Sequence, residues 1–472
     1  MIYRGTNPAV IVPKEPNRPQ ARFVPSAIGG RRAFAQTRIP YLDIVMVLVV
    51  GAVLVLIGQI SVPAAIICYI PIYWTWCFYR PALALWIMFA AVAFPYDLSS
   101  GLPVNMALAE ISLVLAYPVF WLRASIRKPP AVSNPIFIPV WLYFLTCVPS
   151  TILNWNEVGK DAIVSMLQMM VYLVLAVHMF SALLDDPRQM LAGLFGLVTA
   201  STVLSIMATI DRSGYVLGLH KNAVGTFLSY VVIILSDFWF TAKGKRRRWL
   251  GILLTINGVG LLMSASRGAW LGATLGLIAM SLIRREFRMF AAFLCFLIPG
   301  VVACWIFMPQ DRLDSALAIT LESPSTQQRI YTIEYYKEEF LQNPILGSGV
   351  GLRKEADSTN IIMSTLGETG ALGLLTFLYI QFAFMLAIIR TMRKVSRSDP
   401  DFSILTIAAA LVLCQFAHGC FDHYWARTQL PVWAMAGAAI AVYSARRRRP
   451  RFLAKTGLPT VPVSPIRSIP SR

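Results

Sequence analysis

The sequence contains little charge. Asp, Glu, Lys and Arg make up 14 % of its 472 residues, hydrophobic residues make up 57 %, and the mean hydropathy is +0.63. Soluble domains average roughly 25 % charged and 45–50 % apolar residues. The composition therefore excludes a soluble globular protein and favours one embedded in a membrane.

Motifs for binding metals and nucleotides are also missing. The seven cysteines lie in apolar stretches without a CxxC pair or a His/Cys cluster at zinc spacing, which predicts buried thiols. No GxxxxGK(S/T), HExxH or strand-linked GxGxxG occurs. The one Asp-x-Asp, Asp399-Pro400-Asp401, falls in a short turn where a metal-nucleotide role is disfavoured. These absences argue against hydrolysis of a cytosolic nucleotide.

Long apolar runs are present instead, and about 20 apolar residues span a bilayer as a helix. Prolines interrupt several runs, so their bounds are approximate and one pair is equally compatible with a re-entrant hairpin. The pattern predicts an all-α integral membrane protein of about fourteen transmembrane helices. These begin near Tyr41, Val62, Leu83, Asn105, Ile136, Ala162, Met190, Asn222, Trp249, Gly268, Met289, Thr369, Ser403 and Leu430.

The positive charges predict the orientation. The chain has 42 Lys and Arg against 23 Asp and Glu, a net charge of +19. With the N-terminus inside, most of these cations fall on the cytoplasmic side, as the positive-inside rule requires. The excess therefore indicates a membrane rather than nucleic acid, with both termini cytoplasmic.

Composition divides the chain into segments, one of which is a long polar loop. Residues 309–368 form that loop between predicted spans 11 and 12, facing outward with a net negative charge. Within it, a helix is expected from Ser323 onward, with an apolar face on the outer leaflet. The predicted segments are a disordered tail 1–40, a transmembrane bundle 41–214, a core 215–390, C-terminal spans 391–445 and a basic tail 446–472.

Two outward turns hold cations. Ser264-Ala265-Ser266-Arg267-Gly268 could bring Arg267 to a lipid-linked phosphate, or Arg267 could point to the interface while the following glycines pack helices. His220-Lys221-Asn222 opens the eighth span, where capping of the helix is the favoured interpretation.

Two further places hold polar groups. The loop carries Arg329, Tyr331, Asp357, Thr359, Asn360 and Glu368, and its segment Gly347-Ser348-Gly349-Val350-Gly351 either presents N–H groups to phosphate or is an ordinary turn. His418, Asp422 and His423 end the thirteenth span; they could act as a base or bind a metal, although hydration of a helix end is favoured. Glu110, His178 and Asp237 lie inside apolar runs, where ionisable groups are functional candidates.

Taken in order, these segments resemble the O-antigen ligase and O-antigen polymerase superfamily over roughly residues 215–390. The resemblance is carried by Ser264–Gly268, Arg329 with Tyr331, Pro344–Gly351, and Asn360 followed by Gly370-Ala371-Leu372-Gly373. It implies a GT-C-like glycosyltransferase of the bacterial inner membrane that uses no metal or other cofactor. Such enzymes move glycan from an undecaprenyl-pyrophosphate carrier to a glycan or lipid acceptor on the periplasmic side, in contact with membrane lipids and without nucleic acid.

The resemblance also implies roles for individual residues. We expect catalytic roles for Arg267, Arg329, Asn360, Glu368 and Asp357. We expect substrate binding by His220, Lys221, Asn222, Thr359, Tyr331, Gly347 and Gly349.

One position departs from the ligase pattern. The family has a His before the Asn of the loop motif, as the proposed general base, whereas this chain has Thr359 before Asn360. A threonine hydroxyl cannot act as a base near neutral pH. Asp357, Glu368, His220 and His423 are the alternatives. The departure favours a polymerase-like or divergent member, and it leaves a transporter or flippase and a non-catalytic scaffold of a polysaccharide export system as rival interpretations.

Overall fold

The computed structural model describes residues 41–93, 108–211, 215–217, 219–288, 290–291, 293, 302, 306, 324–352, 360–422, 424–425 and 428–456. All of them lie in the compact unit that spans residues 37–472. The predicted tail 1–40, most of the predicted span near Met289, and the candidates Asp357, Thr359 and His423 lie outside the described residues.

Helices dominate the described chain. They are α1 Tyr41–Ile60, α2 Val62–Tyr79, α3 Pro81–Val92, α4 Leu108–Arg127, α5 Phe137–Leu153, α6 Trp155–Met170, α7 Met190–Asp211, α8 Lys221–Thr241, α9 Gly244–Met263, α10 Arg267–Arg284, α11 Pro324–Gln342, α12 Ile361–Met392, α13 Pro400–Gly419 and α14 Gln429–Thr456. Two π-helical segments, Val171–Ala176 and Met179–Leu183, continue α6. Two short strands, β1 Tyr215–Val216 and β2 Leu219–His220, pair antiparallel.

Helices begin near the predicted span starts in the described chain, except that α6 begins at Trp155 rather than near Ala162 and α12 at Ile361 rather than near Thr369. Within the described residues, six helical stretches are long and apolar enough to cross a membrane. The chain is thus an all-α membrane protein, and the count of fourteen spans stays a prediction. The β1–β2 hairpin was not predicted, because two-residue strands leave no alternation in a sequence.

The core is formed by helices that are buried on every side. In α8 each residue from Val224 to Phe238 is buried, and α13 is buried over most of its length. Such helices lie inside a bundle. By contrast α5 exposes Phe137, Ile138 and Leu145, as expected for a face in contact with lipid.

Glycines bring α10 and α13 together. Gly268, Gly272 and Gly276 lie one turn apart along α10. A Cβ atom at Gly272 would lie 2.8 Å from the Cys414 carbonyl oxygen, and one at Gly276 would lie 3.1 Å from the Ala410 carbonyl oxygen. A side chain would not fit, so the two backbones are in contact. The glycine packing that one of the two interpretations of this segment expected is therefore present.

The bundle has two distinct ends. We call the end that carries β1, β2 and α11 the loop end, and the end that carries Arg188, Arg284 and Arg446 the basic end. At the basic end the Asp-Pro-Asp turn lies between two arginines. Arg188 on the approach to α7 and Arg446 on α14 each form ion pairs with both Asp399 and Asp401. The turn therefore ties three helices together.

The ionisable residues inside apolar runs have protein partners. The Tyr172 hydroxyl donates to Glu110, and the Tyr117 hydroxyl lies 2.9 Å from Nδ1 of His178. Asp237 is fully buried and accepts a 2.7 Å hydrogen bond from Nε of Arg284. Each of these groups thus has at least one polar partner in an apolar interior, where an unpartnered ionisable group would be costly.

Candidate functional site

The candidate site lies at the loop end, where α8 and α10 begin. The Ser266 hydroxyl joins the two helix starts by donating to the side-chain oxygen of Asn222 over 3.1 Å. Ala265, in the turn before α10, has a left-handed backbone with φ +52°. Such strain in a non-glycine residue persists only where the surroundings hold it, and it clusters at functional sites. Arg267 follows as the first residue of α10.

The start of α10 suits an anion. Its N-cap residue, Ser266, forms no side-chain cap. The first N–H groups of a helix and the positive end of its dipole together attract negative charge. Arg267 adds a guanidinium at the same place. The turn is also close to the end of α13, because a Cβ atom at Gly268 would lie 3.3 Å from Cδ2 of His418.

The end of α13 contributes an imidazole and a carboxylate. His418 is 2 % exposed, and its Nε2 lies 2.9 Å from the Thr226 hydroxyl oxygen and 3.7 Å from Oδ2 of Asp422. The Asp422 side chain is 17 % exposed. The carboxylate therefore faces solvent in part, while the imidazole beneath it is enclosed.

Arg329 reaches the same place from α11. Its guanidinium carbon lies 6.0 Å from the centroid of the Phe421 ring, within range of a cation–π contact. Partial burial lowers the pKa of Arg329, the charge of Arg267 lowers it further, and the charge of Asp422 acts in the opposite direction. Two arginines and one carboxylate, from three separate segments, thus share one electrostatic environment.

The glycine loop, residues 344–351, packs on a break in α12. Gly370 interrupts that helix with φ +66° and ψ −168°. Backbone hydrogen bonds join the loop to the break: Ala371 N to Pro344 O at 2.9 Å, Leu372 N to Ile345 O at 3.4 Å, Ser348 N to Gly367 O at 2.7 Å and Gly349 N to Glu368 O at 3.0 Å. Gly347 N donates to Asn343 O at 2.8 Å. In this conformation neither Gly347 nor Gly349 presents its N–H group to a phosphate.

Glu368 fixes the far end of the loop. It is 3 % exposed, and its carboxylate accepts a 3.0 Å hydrogen bond from the N–H group of Gly351. Its carbonyl oxygen accepts a further bond from the Ser150 hydroxyl on α5, at 2.6 Å. The contacts give Glu368 the geometry of a residue that holds the loop.

Replacement of Gly370 by Ala should destabilise the protein. The backbone angles of Gly370 lie in a region that is essentially restricted to glycine, and a Cβ atom would overlap the Ile345 carbonyl group. Strain of this kind costs about 1–3 kcal/mol. We expect a clearly lower midpoint of thermal unfolding in detergent.

Gly51→Ala is the matched control for this substitution, because a Cβ atom at Gly51 in α1 would have no neighbour within 4 Å among the described residues. Equal midpoints for Gly370→Ala and Gly51→Ala would contradict the structural role of the break.

The other predicted residues lie around this arrangement. Asn360 caps α12, since its side-chain oxygen accepts hydrogen bonds from the N–H groups of Ile362 and Met363 at 3.0 and 3.2 Å. Tyr331 is 58 % exposed on α11 and stacks on Tyr335. The Tyr331 ring is therefore available at the rim of the site.

The predicted cap of α8 is present. His220 is exposed and precedes the helix, and its Nδ1 accepts a 3.4 Å hydrogen bond from the N–H group of Asn222. Lys221 is the first residue of α8. The Asn222 side chain contacts Ser266, so this segment borders the turn that carries Arg267.

His418 and Asp422 are the residues that the predicted site omitted. Their i, i+4 spacing was visible in the sequence and indicated one helix face. Thr226, some 190 positions earlier, carried no signal. Within the described residues no group of three or more His, Cys, Asp or Glu side chains is arranged to hold a metal ion.

One known family matches the segment of the chain that contains most of these elements. Residues 250–378 match the family described as O-antigen ligase. The matched range contains Arg267, Arg329, the glycine loop and the break in α12, whereas His220–Asn222 and Asp422 lie outside it. No curated protein matches the chain. The chain is therefore a multi-pass, all-α membrane protein whose residues 250–378 match the O-antigen ligase family, as the sequence resemblance predicted.

Proposed function

We propose that the protein transfers a glycan from an undecaprenyl-pyrophosphate carrier to a glycan or lipid acceptor at the periplasmic face of the bacterial inner membrane. The family supports transfer of this general type. In this proposal the loop end faces the periplasm, and Arg267 and Arg329 bind the pyrophosphate of the donor.

The proposal rests on the proximity of Arg267 and Arg329. Two guanidinium groups repel each other, and partial burial of Arg329 adds a desolvation cost. A bound anion with several charges offsets both costs. A guanidinium also matches phosphate oxygens with paired hydrogen bonds.

The chemistry of transfer needs positive charge at this place. When the bond between the anomeric carbon and the pyrophosphate oxygen breaks, negative charge develops on the leaving group. Fixed cations and helix N–H groups stabilise that charge without reorganisation. Arg267, Arg329 and the start of α10 meet this requirement, and Lys221 stands at the next helix start.

The remaining predicted residues act around the phosphates in this proposal. His220, Asn222, Thr359 and Tyr331 bind the substrate, and Asp357 takes part in catalysis. Asn360, Glu368, Gly347 and Gly349 act through the fold of the loop, because their contacts hold α12 and the glycine loop in place.

Deletion of the gene from its host tests the proposal. We expect the lipid-linked glycan to accumulate and one surface glycan to disappear, both measured by gel and mass spectrometry, with the intact gene restoring the profile. Single repeats left on the acceptor would identify a polymerase, and an acceptor without glycan would identify a ligase. An unchanged profile would contradict the proposal and favour a transporter or a scaffold.

A further inference from the structure

Glycan transfer to a hydroxyl group requires a base, and the loop position that supplies it in the ligase pattern is occupied by Thr359. The described part of the site contains one carboxylate that is both partly exposed and close to the two arginines, that of Asp422. It comes from the segment after α13, outside the matched family range.

Neighbouring groups are less suited to accept a proton from substrate. The Thr226 hydroxyl has a single hydrogen, which it donates to the carbonyl oxygen of Asn222 over 2.7 Å. Its oxygen must then accept from Nε2–H of His418 at 2.9 Å. This assignment follows from the hydrogen-bond network. Nε2 of His418 therefore acts as a donor in an enclosed place.

Two of the other candidate bases are occupied elsewhere. The carboxylate of Glu368 is buried and accepts the N–H group of Gly351. Nδ1 of His220 accepts the N–H group of Asn222 as part of the helix cap. Asp422, in contrast, combines partial exposure with proximity to the cations that would hold the leaving group.

We propose that Asp422 is the general base that takes the proton of the acceptor hydroxyl group. This inference rests on the proposed function. The acceptor oxygen attacks the anomeric carbon and forms the new C–O bond, while its proton moves to the Asp422 carboxylate. The bond from the anomeric carbon to the pyrophosphate oxygen breaks, and its electron pair leaves with undecaprenyl pyrophosphate.

His418 is a positioning residue for this base. Its Nε2–H donates to Thr226, and Nε2 lies 3.7 Å from Oδ2 of Asp422, so the fixed imidazole limits where that carboxylate can lie. Arg329 lies beside Phe421, the residue before Asp422. The charge of Asp422 acts on Arg329, so the carboxylate lies near that cation.

Azide distinguishes a missing base from a damaged site, because this anion attacks carbon without losing a proton. The test uses full-length protein in detergent with undecaprenyl-pyrophosphate-linked glycan and acceptor from membranes of the gene-deletion host. The measured products are undecaprenyl pyrophosphate, transferred glycan and glycosyl azide. Asp422→Ala is compared with Asp422→Asn and with Glu334→Ala, which removes an exposed carboxylate from α11.

We expect Asp422→Ala and Asp422→Asn to lower glycan transfer by about 10²–10⁴-fold, the usual contribution of a positioned base, and Glu334→Ala to leave it unchanged. Sodium azide should restore donor cleavage in Asp422→Ala and yield glycosyl azide, but should not restore it in Arg267→Ala. Transfer within threefold of the intact protein by Asp422→Asn would overturn the assignment, as would a folded Asp422→Ala that azide does not rescue. If the intact protein itself consumes no donor, the proposed function fails, and this inference fails with it.

A double-mutant comparison tests His418. If the imidazole acts through Asp422, His418→Gln should lower transfer about tenfold in the intact protein, because it removes the Thr226 hydrogen bond that fixes the ring against the carboxylate. It should have no further effect in Asp422→Ala assayed with azide. Equal losses in both backgrounds would show a merely structural role and overturn the positioning assignment.

Discussion

Replacement of Arg267 or Arg329 by Ala should lower the rate of glycan transfer by about 10²–10³-fold, the usual cost of removing one group that stabilises developing charge. In the proposed function, each guanidinium would contribute charge and paired hydrogen bonds to the same pyrophosphate. Because they act on one leaving group, the double substitution should cost less than the product of the two single losses. Release of undecaprenyl pyrophosphate by protein in detergent measures the effect.

Conservative and distant substitutions separate charge from folding. Arg267→Lys and Arg329→Lys keep a cation but lose the planar fork, so they should retain part of the rate. Arg390→Ala removes an exposed arginine at the basic end of α12 and should have no effect. Retained transfer by Arg267→Ala would refute the pyrophosphate site, whatever the result for Asp422.

Replacement of Arg284 by Ala should destabilise the whole bundle. Arg284 closes α10 at the basic end, where it pairs with fully buried Asp237 and donates to the Ser403 hydroxyl at 2.9 Å. Removal of one partner leaves an uncompensated buried charge, which costs about 3–5 kcal/mol. We expect a marked fall in the thermal midpoint in detergent and poor recovery from membranes.

The companion substitutions make this result specific. Asp237→Asn together with Arg284→Met removes both charges, and it should recover much of the loss because neither charge is left alone. Arg248→Ala removes an exposed arginine on α9 and should change stability by less than about 0.5 kcal/mol. Equal midpoints for Arg284→Ala and Arg248→Ala would contradict the role of the buried pair.

Much of the architecture could be predicted from the sequence because it depends on local patterns. Apolar runs located the helices, and the spacing of Gly268, Gly272 and Gly276 indicated a packing face that the structure contains. The family resemblance assigned Arg267 and Arg329 to the same site before the structure was considered. These features are determined by composition along one segment or by an ordered set of motifs.

The rest of the site depends on tertiary packing. The spacing of His418 and Asp422 gave one helix face, but only the contact between α10 and α13 places that face beside Arg267. Asp237 was likewise a functional candidate inside an apolar run, and only the packing of α8 against α10 pairs it with Arg284. Hydropathy does not report which helices are neighbours.

For the glycine loop, the structure decides between two interpretations that the sequence left open. Its sequence was compatible with phosphate binding through N–H groups or with a turn. The structure uses those N–H groups to satisfy the carbonyl oxygens at the break in α12. A motif of three glycines thus indicates that the backbone can adopt unusual angles. It does not indicate which groups that backbone binds, because those groups lie in another segment of the chain.

The close glycine contact between α10 and α13 has a mechanical consequence. Arg267 begins one of these helices and Asp422 follows the other. The distance between their backbones is therefore set by direct contact of the two helix backbones rather than by side-chain rotamers. Arg329 belongs to α11, which packs on α12. A displacement of α11 would therefore move one cation and leave the other cation and the carboxylate in register. Movement of α11 would then admit a bulky lipid-linked donor, while α10 and the segment after α13 would align its reacting bond.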